Sequence, residues 1–382
     1  MISVRNVEAL SARVSDKTVW TFVRLDSADG RSGWGEATLQ GQAAAVHEHV
    51  RRLAPMLIGR AWAVPTDASG VAGTCGRDTA EAAAISALDQ ALWDLLAQEK
   101  GQSLTTALGS AKRPAIGLYA NINRGTLDRS PAGFAARARE VAGRGFDAVK
   151  IAPFDEARPD AADAARLRPG LERIAAVRET IGPEVRLMVD CHWRLNETAT
   201  ADVLREVEPL KLYWLECPIA EDEAHFAALR RLRRRANDAG VRLAGCEMMI
   251  GRAGFQRFIE AGVYDVIMPD VKYAGGLREL LRIGEDAARH DVACSPHNPS
   301  GPIAHVHSLH LSAHLPTFPF LEFQYGESPL FFEFVSGVLP DPNRGRSELP
   351  RGVGLGVGLG GAALGRQIVS VEGATPLREA AR

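Results

Sequence analysis

The sequence predicts an α/β protein built as a (β/α)8-type barrel, with a smaller α+β region before it. From Pro114 onward, short apolar runs alternate with amphipathic helical segments, as in βα units. Eight such runs occur, and five of them end in an acidic residue or a histidine. A doubly wound sheet is the alternative, but it usually has fewer strands and a glycine fingerprint after the first one. We find no such fingerprint and favour the barrel.

The first 113 residues predict an α+β unit. Residues 18–37 alternate between apolar and polar side chains around Asp29-Gly30, which predicts two strands joined by a turn. Thr79–Ala97 carries apolar residues at helical spacing and is rich in Ala and Leu, which predicts a helix. The segment 109–114 follows as a plausible boundary. We therefore expect units at 1–113, 114–330 and 331–382.

The barrel strands and helices are predicted from the apolar runs and the segments between them. The strands are expected at 115–121, 147–152, 185–190, 212–216, 241–247, 264–270, 291–297 and 318–323. Helical segments are expected at 132–142, 169–180, 224–236 and 277–288, and in the histidine-rich stretch 303–315. The glycine-rich stretch 353–365 is interpreted as a closing segment, because no strand and helix flank it in the order of a phosphate-binding loop.

Composition and charge exclude several classes of protein. The chain has 382 residues, 46% hydrophobic and 24% charged, with a formal net charge of −2. A near-neutral chain has no electrostatic reason to bind nucleic acid or an anionic membrane, and no apolar run is long enough for a membrane span. The five cysteines are scattered and form no CxxC pair, which favours reduced thiols in the cytoplasm. The N-terminus has no features of a secretory signal.

Three carboxylates close consecutive predicted strands, the third to the fifth. They are Asp190, Glu216 and Glu247. Barrel enzymes place their active sites at the C-terminal ends of the strands, so these carboxylates should converge. One of them alone could be a helix N-cap, but three like charges on one rim repel strongly unless a cation neutralises them. Oxygen ligands of this kind favour Mg²⁺, one ion per site.

Acid–base residues close the neighbouring strands. Asp270 and His297 lie at adjacent strand ends, where a carboxylate fixes the tautomer of an imidazole and makes it a better base. His192 follows Asp190 by two residues, so strand alternation should turn it to the same side, where it could donate a proton. Lys150 could neutralise a bound carboxylate. Each of these residues taken alone also fits a structural or solvated role.

These motifs together resemble the enolase superfamily and, within it, the mandelate racemase subgroup. The resemblance covers nearly the whole chain, including SGWGEA at 32–37 and ALDQALWDL at 87–95. It implies a modified TIM barrel, (β/α)7β, whose α+β capping domain is formed by the N-terminal part and the C-terminal tail. It also implies that relatives assemble as homo-oligomers, from dimers to octamers.

The resemblance assigns roles to individual positions. It implies Asp190, Glu216 and Glu247 as magnesium ligands, and His297 paired with Asp270 as the general base. Glu322 matches the carboxylic acid on the eighth strand that hydrogen-bonds the substrate carboxylate. Lys150 matches the first lysine of a Lys-x-Lys motif whose second lysine is replaced by Ala152, and this departure argues against racemisation by opposed Lys and His bases.

The stretch Asp190-Cys191-His192 is similar to acid-sugar dehydratases of the galactonate type, in which that histidine is the acid. The resemblance thus implies Mg²⁺-dependent removal of the α-proton of a sugar acid through an enediolate, and loss of the β-hydroxyl to give a 2-keto-3-deoxy acid. Lys272, Asn121 and Gln40 are candidates for substrate contacts. The alternatives are a racemase or epimerase that opposes His297 with His192 or Lys272, and a barrel that binds metal without catalysis.

Overall fold

The structure is a computed structural model that describes residues 1–63, 75–360, 365 and 367–374. It contains two main sheets, one that builds a capping domain and one that builds a barrel. None of the helices in these ranges has the length and apolarity needed to cross a bilayer. The end of the glycine-rich segment, 361–364, and the last residues, 375–382, lie outside the described residues.

The cap is an antiparallel sheet covered by two helices. Its strands are β1 Ile2–Arg13, β2 Val19–Ser27, β3 Ser32–Glu36, β4 Ala61–Trp62 and β16 Ile368–Ala374. They follow the order β16-β1-β2-β3, and β4 pairs with β1. β2 and β3 are the two strands predicted around Asp29-Gly30. β16 comes from the C-terminal tail and runs antiparallel to β1, so both ends of the chain build this sheet. The two covering helices are α1 Ala43–Leu53 and α2 Thr79–Glu99.

The barrel consists of eight parallel strands with seven helices between them. Its strands are β5 Ala115–Asn121, β6 Ala148–Ile151, β7 Arg186–Asp190, β8 Trp214–Glu216, β9 Arg242–Gly245, β10 Val266–Ile267, β11 Ala293–Cys294 and β12 Leu321–Gln324. Its helices are α4 Pro131–Gly143, α5 Ala164–Ile181, α6 Glu197–Val207, α7 Phe226–Asp238, α8 Gly251–Ala261, α9 Leu277–Arg289 and α10 Pro302–Ser312. A short helix α3, Leu104–Leu108, connects the cap to β5.

The sheet curls so that its first and last strands meet. β5 pairs in parallel with both β6 and β12, and the order then runs through β7, β8, β9 and β10 to β11. Between β11 and β12, the Glu322 amide donates to the Pro296 carbonyl over 3.4 Å, and Ser295 Oγ donates to the Phe320 carbonyl over 2.6 Å. Eight strands and seven helices in this order confirm the predicted modified barrel with its cap.

The C-terminal part adds small elements around this frame. They are helix α11 Leu330–Glu333 and strands β13 Val335–Gly337, β14 Arg346–Glu348 and β15 Val357–Leu359. β14 extends the barrel sheet by pairing antiparallel with β5, and β13 pairs with β15. The division into units at 1–113, 114–330 and 331–382 stays a prediction.

A layer of inward side chains fills the barrel below the charged residues. Met188 and Trp214 precede Asp190 and Glu216 by two positions each, and a strand turns residues two apart to the same side. Both are fully buried, in one cluster with Tyr119, Val266 and other residues of neighbouring strands. This apolar layer is the floor on which the polar residues at the strand ends rest.

Candidate active site

Two of the predicted carboxylates end their strands, whereas Glu247, Asp270 and His297 lie just beyond the ends of theirs. Asp190 and Glu216 are the last residues of β7 and β8 and are directly paired in register. Glu247 follows the end of β9 by two residues, because Cys246 between them has a left-handed backbone with φ 71°. Asp270 and His297 form an isolated parallel bridge past β10 and β11. The predicted strands 241–247, 264–270 and 291–297 are therefore too long at their C-terminal ends.

One cluster of possible metal ligands forms at this rim. A ligand atom from each of Asp190, His192 and Glu247 lies within 4.8 Å of the other two. Glu247 Oε2 is buried and has no hydrogen-bond partner among the described residues, and His297 Nε2 lies 3.5 Å from it. Burial, together with repulsion from Asp190 and Glu216, raises the pKa of Glu247 well above its usual value. An unpartnered buried carboxylate oxygen among like charges fits a site for a divalent cation.

Glu216 is held differently from the other two carboxylates. Its Oε1 accepts a hydrogen bond from Lys150 Nζ over 2.7 Å, and its Oε2 accepts one from Trp214 Nε1 over 2.9 Å. Burial raises the pKa of Glu216 to about 7, although Lys150 opposes the rise. One carboxylate oxygen of Glu216 is therefore bound to Lys150 in this arrangement. The third member of the ligand cluster with Asp190 and Glu247 is His192 rather than Glu216. The assignment of Glu216 as a metal ligand stays a prediction.

Lys150 also contacts the carboxylate on the last strand. Its Nζ lies 3.0 Å from Glu322 Oε1, which accepts a second hydrogen bond from Asn121 Nδ2 over 2.6 Å. The backbone N–H of Asn298 donates to Glu322 Oε2 over 2.8 Å. Burial alone would raise the pKa of Glu322, but Lys150, His297 and these hydrogen bonds lower it to about 2. These contacts favour the ionised form of Glu322, and its predicted role toward a substrate carboxylate stays a prediction.

Asp270 and His297, predicted to act together as a base, are in contact. His297 Nδ1 lies 2.8 Å from Asp270 Oδ2, which leaves Nε2 facing the carboxylate cluster. Lys272 Nζ donates to the same Asp270 oxygen over 2.6 Å and to Ser300 Oγ, and it is 3% exposed. Burial would raise the pKa of Asp270, but Lys272 and His297 outweigh it and lower that pKa. Asp270 is therefore an anion that orients His297.

His192 reaches the cluster, but not for the predicted reason. β7 ends at Asp190, and His192 has a left-handed backbone with φ 47°, so this turn rather than strand alternation directs its side chain. Its Nε2 lies 2.7 Å from Asp190 Oδ2. The Asp190 carboxylate raises the pKa of His192 above its usual value, which favours the protonated imidazole.

The three predicted substrate contacts differ in their surroundings. Asn121 and Lys272 are buried and belong to the hydrogen-bond network at the strand ends. Gln40 is exposed between β3 and α1, and it makes no hydrogen bond to the cluster within the described residues. The structure thus brings Asn121 and Lys272 to the site, whereas Gln40 stays apart from this network.

Sequence reasoning missed several residues that hold the site together. Tyr273 donates to the Glu247 carbonyl over 2.7 Å and lies 3.2 Å from His297 Nδ1. Glu221 accepts the Cys246 amide over 2.6 Å and so supports the turn before Glu247. Both follow a predicted strand end by a few residues, and that position is the signal that could have identified them.

The fold and the site define a barrel enzyme equipped for acid–base chemistry next to a cluster of carboxylates. Residues 133–363 match the family described as enolase C-terminal domain-like. Residues 4–109 match the N-terminal domain of the mandelate racemase / muconate lactonizing enzymes. The chain belongs to this family and to the enolase superfamily.

Proteins of known name and structure agree with this membership. The D-gluconate dehydratase of Thermoproteus tenax is 32% identical over 346 residues, which cover 88% of this chain and 67% of that protein. The D-galactonate dehydratase of Verminephrobacter eiseniae is 33% identical over 300 residues, or 76% of this chain and 75% of that protein. A mandelate racemase/muconate lactonizing enzyme-like protein from Rubrobacter xylanophilus superposes with a TM-score of 0.86 at 29% identity, covering 98% and 99% of the two chains. Membership in the family together with these named dehydratases identifies the chain as a hydro-lyase.

Proposed function

We propose that this hydro-lyase dehydrates a sugar acid, an aldonate or an aldarate, to a 2-keto-3-deoxy acid in the cytoplasm with Mg²⁺ as its cofactor. The observation that carries the proposal is the pair of histidines beside one carboxylate cluster, each with its own aspartate. His192 is bound to Asp190, and His297 to Asp270. The substrate class is supported by relatives named D-gluconate and D-galactonate dehydratase.

The metal is proposed to bind at the carboxylate cluster. Asp190 and Glu247 lie close enough to share one cation, and Glu216, which adjoins Asp190 in register, would join them by releasing Lys150. A divalent cation there would supply positive charge beside the substrate carboxylate and make the α-carbon more acidic. Carboxylate oxygens with room for water and substrate favour Mg²⁺.

The two histidines divide the proton transfers. His297 donates its Nδ1 hydrogen to Asp270, so Nε2 is free to accept the α-proton from the substrate. The electron pair left at C2 is first delocalised into the substrate carboxylate as an enediolate. It then forms a double bond between C2 and C3 as the C3–O bond breaks. His192, whose protonated form Asp190 favours, gives its proton to the departing hydroxyl, which leaves as water. The enol product then tautomerises to the 2-keto acid.

The proposal is tested by separating the two proton transfers. The wild-type enzyme, incubated with gluconate, galactonate and other sugar acids in the presence of Mg²⁺, should form a keto acid that reacts with semicarbazide. In D₂O, His297→Asn should abolish both α-proton exchange and keto-acid formation, by on the order of 10²-fold or more. His192→Asn should lose keto-acid formation and keep exchange, because the base is intact.

His225→Asn is the matched control, since His225 also pairs with an aspartate, over 2.7 Å, but its side chain is 42% exposed and it is not part of the ligand cluster. It should behave as the wild type does. Exchange at the wild-type rate in His297→Asn would contradict the base assignment. Return of deuterated substrate and its epimer without keto acid would instead favour the racemase or epimerase.

A further inference from the structure

A buried carboxylate of the cap holds the loop that carries the base. Glu36 is the last residue of β3 and is fully buried. Its Oε1 accepts the Gly301 amide over 2.7 Å and its Oε2 accepts the Ala304 amide over 2.9 Å. These two amides belong to the N-terminal end of α10, directly after the loop with His297 and Ser300. A side chain of the capping domain thus accepts the free N–H groups at the start of barrel helix α10.

Gln90 on the cap helix, a hydrogen-bond partner of Glu36, holds the backbone next to Asp270, the other residue of the dyad. Gln90, on α2, is fully buried and accepts the Glu36 amide through Oε1 over 3.0 Å. Its Nε2 donates to the Glu36 carbonyl over 3.3 Å and to the Val271 carbonyl over 3.1 Å. Val271 lies between Asp270 and Lys272. Glu36 and Gln90 therefore connect both loops of the base dyad to one point on the cap.

We infer that Glu36 and Gln90 are positioning residues for the Asp270–His297 dyad, so that docking of the cap sets the geometry of the base. The inference rests on the proposed function, because that function makes His297 the base. Neither residue touches the dyad, and each acts through the backbone that carries it.

The packing around Glu36 leaves the loop little freedom. A Cβ added to Gly301 would lie 2.8 Å from Glu36 Oε1 and 2.9 Å from the Trp20 ring, so the backbone here approaches the cap as closely as glycine allows. Ser300, next to it, contacts Lys272 across the dyad. A shift of the α10 end would therefore move His297 and Lys272 relative to Asp270, and misplacement by about 1 Å costs on the order of 10²-fold in rate.

The experiment compares Glu36→Ala, the milder Glu36→Gln and Gln90→Met with a matched control. Asp94→Asn is that control, because Asp94 is an equally buried acid of α2 whose partners, the Trp34 and Leu355 amides, are not in the dyad loops. Two measurements are made on the full-length protein. Hydrogen exchange by mass spectrometry follows peptides covering 270–277 and 296–304, and kinetics give kcat and KM for the dehydration substrate.

The expected result is faster exchange in both peptides and a kcat reduced on the order of 10²-fold in Glu36→Ala, with KM changed by less than about threefold. Glu36→Gln should lose less, because its one amide oxygen can still accept one of the two N–H groups. Gln90→Met should affect 270–277 more than 296–304. Asp94→Asn should leave kcat and both peptides as in the wild type.

The inference is overturned if Glu36→Gln and Gln90→Met leave exchange in both peptides unchanged, or if they change it while kcat stays at the wild-type value. It is also overturned if Asp94→Asn lowers kcat to the same extent, since a general loss of stability would then explain every variant. Failure of the proposed function is seen separately, as a wild-type enzyme that forms no keto acid. The exchange measurement reports on the loops in either case.

Discussion

At the scale of the residue, buried lysines balance the carboxylates of this site. Lys150 lies between Glu216 and Glu322, and all three are at most 1% exposed. Lys272, also buried, pairs with a single carboxylate, that of Asp270. A buried charge is costly without a partner, so each lysine keeps a neighbouring carboxylate ionised and ordered. Removing a lysine should therefore affect stability as well as chemistry.

Replacing Lys150 by methionine tests this balance. The variant keeps the length of the side chain but leaves Glu216 and Glu322 buried without their common cation. We expect a loss of about 3 kcal/mol or more in the free energy of unfolding, as for other buried pairs that lose one partner, together with loss of dehydration. Denaturant unfolding measures the first effect. Lys100→Met removes an exposed lysine and should stay within about 0.5 kcal/mol of the wild type; equal stability of the two variants would contradict the argument.

Residue-level prediction from the sequence succeeded where a side chain directly follows an apolar run. Asp190, Glu216 and Asp270 could be assigned to one rim because parallel strands end at the same edge of a barrel. Glu36 also follows an apolar run, in GWGEA, but its partners at Gly301 and Ala304 are distant in sequence. Nothing local shows that such a carboxylate is buried, so its role needed the structure.

At the scale of the element, the cap depends on close contact between strand β3 and helix α2. Gly33 and Gly35 lie on the face of β3 that meets this helix. A Cβ at Gly35 would lie 2.0 Å from the Ala87 carbonyl oxygen, and one at Gly33 would lie 2.1 Å from that of Ala91. Backbone therefore packs on backbone, and the same contact brings Glu36 to Gln90. A larger residue on this face must separate the strand from the helix.

Gly35→Ala is expected to destabilise the protein by about 1–3 kcal/mol or more, as overpacking does when the obstructing atom is backbone. Chemical denaturation measures the change. Gly143→Ala provides a control with the opposite sign, because nothing lies within 4 Å of a Cβ there and the residue is in the last turn of α4. Alanine should be neutral or slightly stabilising at that site. A Gly35→Ala protein as stable as the wild type would show that β3 can move away from α2 at no cost.

Elements were predictable in type more than in extent. The predicted strand 115–121 coincides with β5, and 79–97 falls within α2. The predicted strand 264–270 contains only Val266 and Ile267 as β10, because its later residues leave the ladder to form the bridge and loop of the dyad. Hydrophobic runs do not distinguish a strand from a buried loop that continues in the same direction.

At the scale of the whole molecule, buried polar groups join the cap to the barrel. Asp89 on α2 accepts the Leu277 amide at the start of α9 over 2.7 Å, and His307 on α10 bonds the Trp34 carbonyl of β3 over 2.8 Å. Pairing of the two chain ends in this cap was expected from the family resemblance alone, since no local pattern connects β16 to β1. The joint is polar, so the stability of the assembled molecule should respond to pH.

Burial raises the pKa of the aspartates at this joint and lowers the pKa of the histidines. It raises the pKa of Asp89 to about 7 and that of Asp94 to about 6. It lowers the pKa of His305 and His307 to about 3 and that of His310 to about 4. The histidines make the folded state less stable as the pH falls below about 6.5, whereas the aspartates make it less stable as the pH rises above about 4. These trends offset each other in the wild type, so a difference between variants is the better measurement.

Asp89→Asn isolates one of these contributions. Between pH 4 and pH 7 the folded wild type binds a proton at Asp89 that the unfolded chain has released, so the stability contributed by this group falls as the pH rises, by about 1.4 kcal/mol per pH unit. Asparagine does not titrate and can still accept the Leu277 amide through its side-chain oxygen. The free energy of unfolding of Asp89→Asn relative to the wild type should therefore increase from pH 4 to pH 7 and level off above pH 7.

Asp16→Asn removes the same charge from an exposed site and controls for the change in net charge. A difference that stays constant with pH, or that follows the Asp16→Asn series, would show that Asp89 does not retain its proton within this interface.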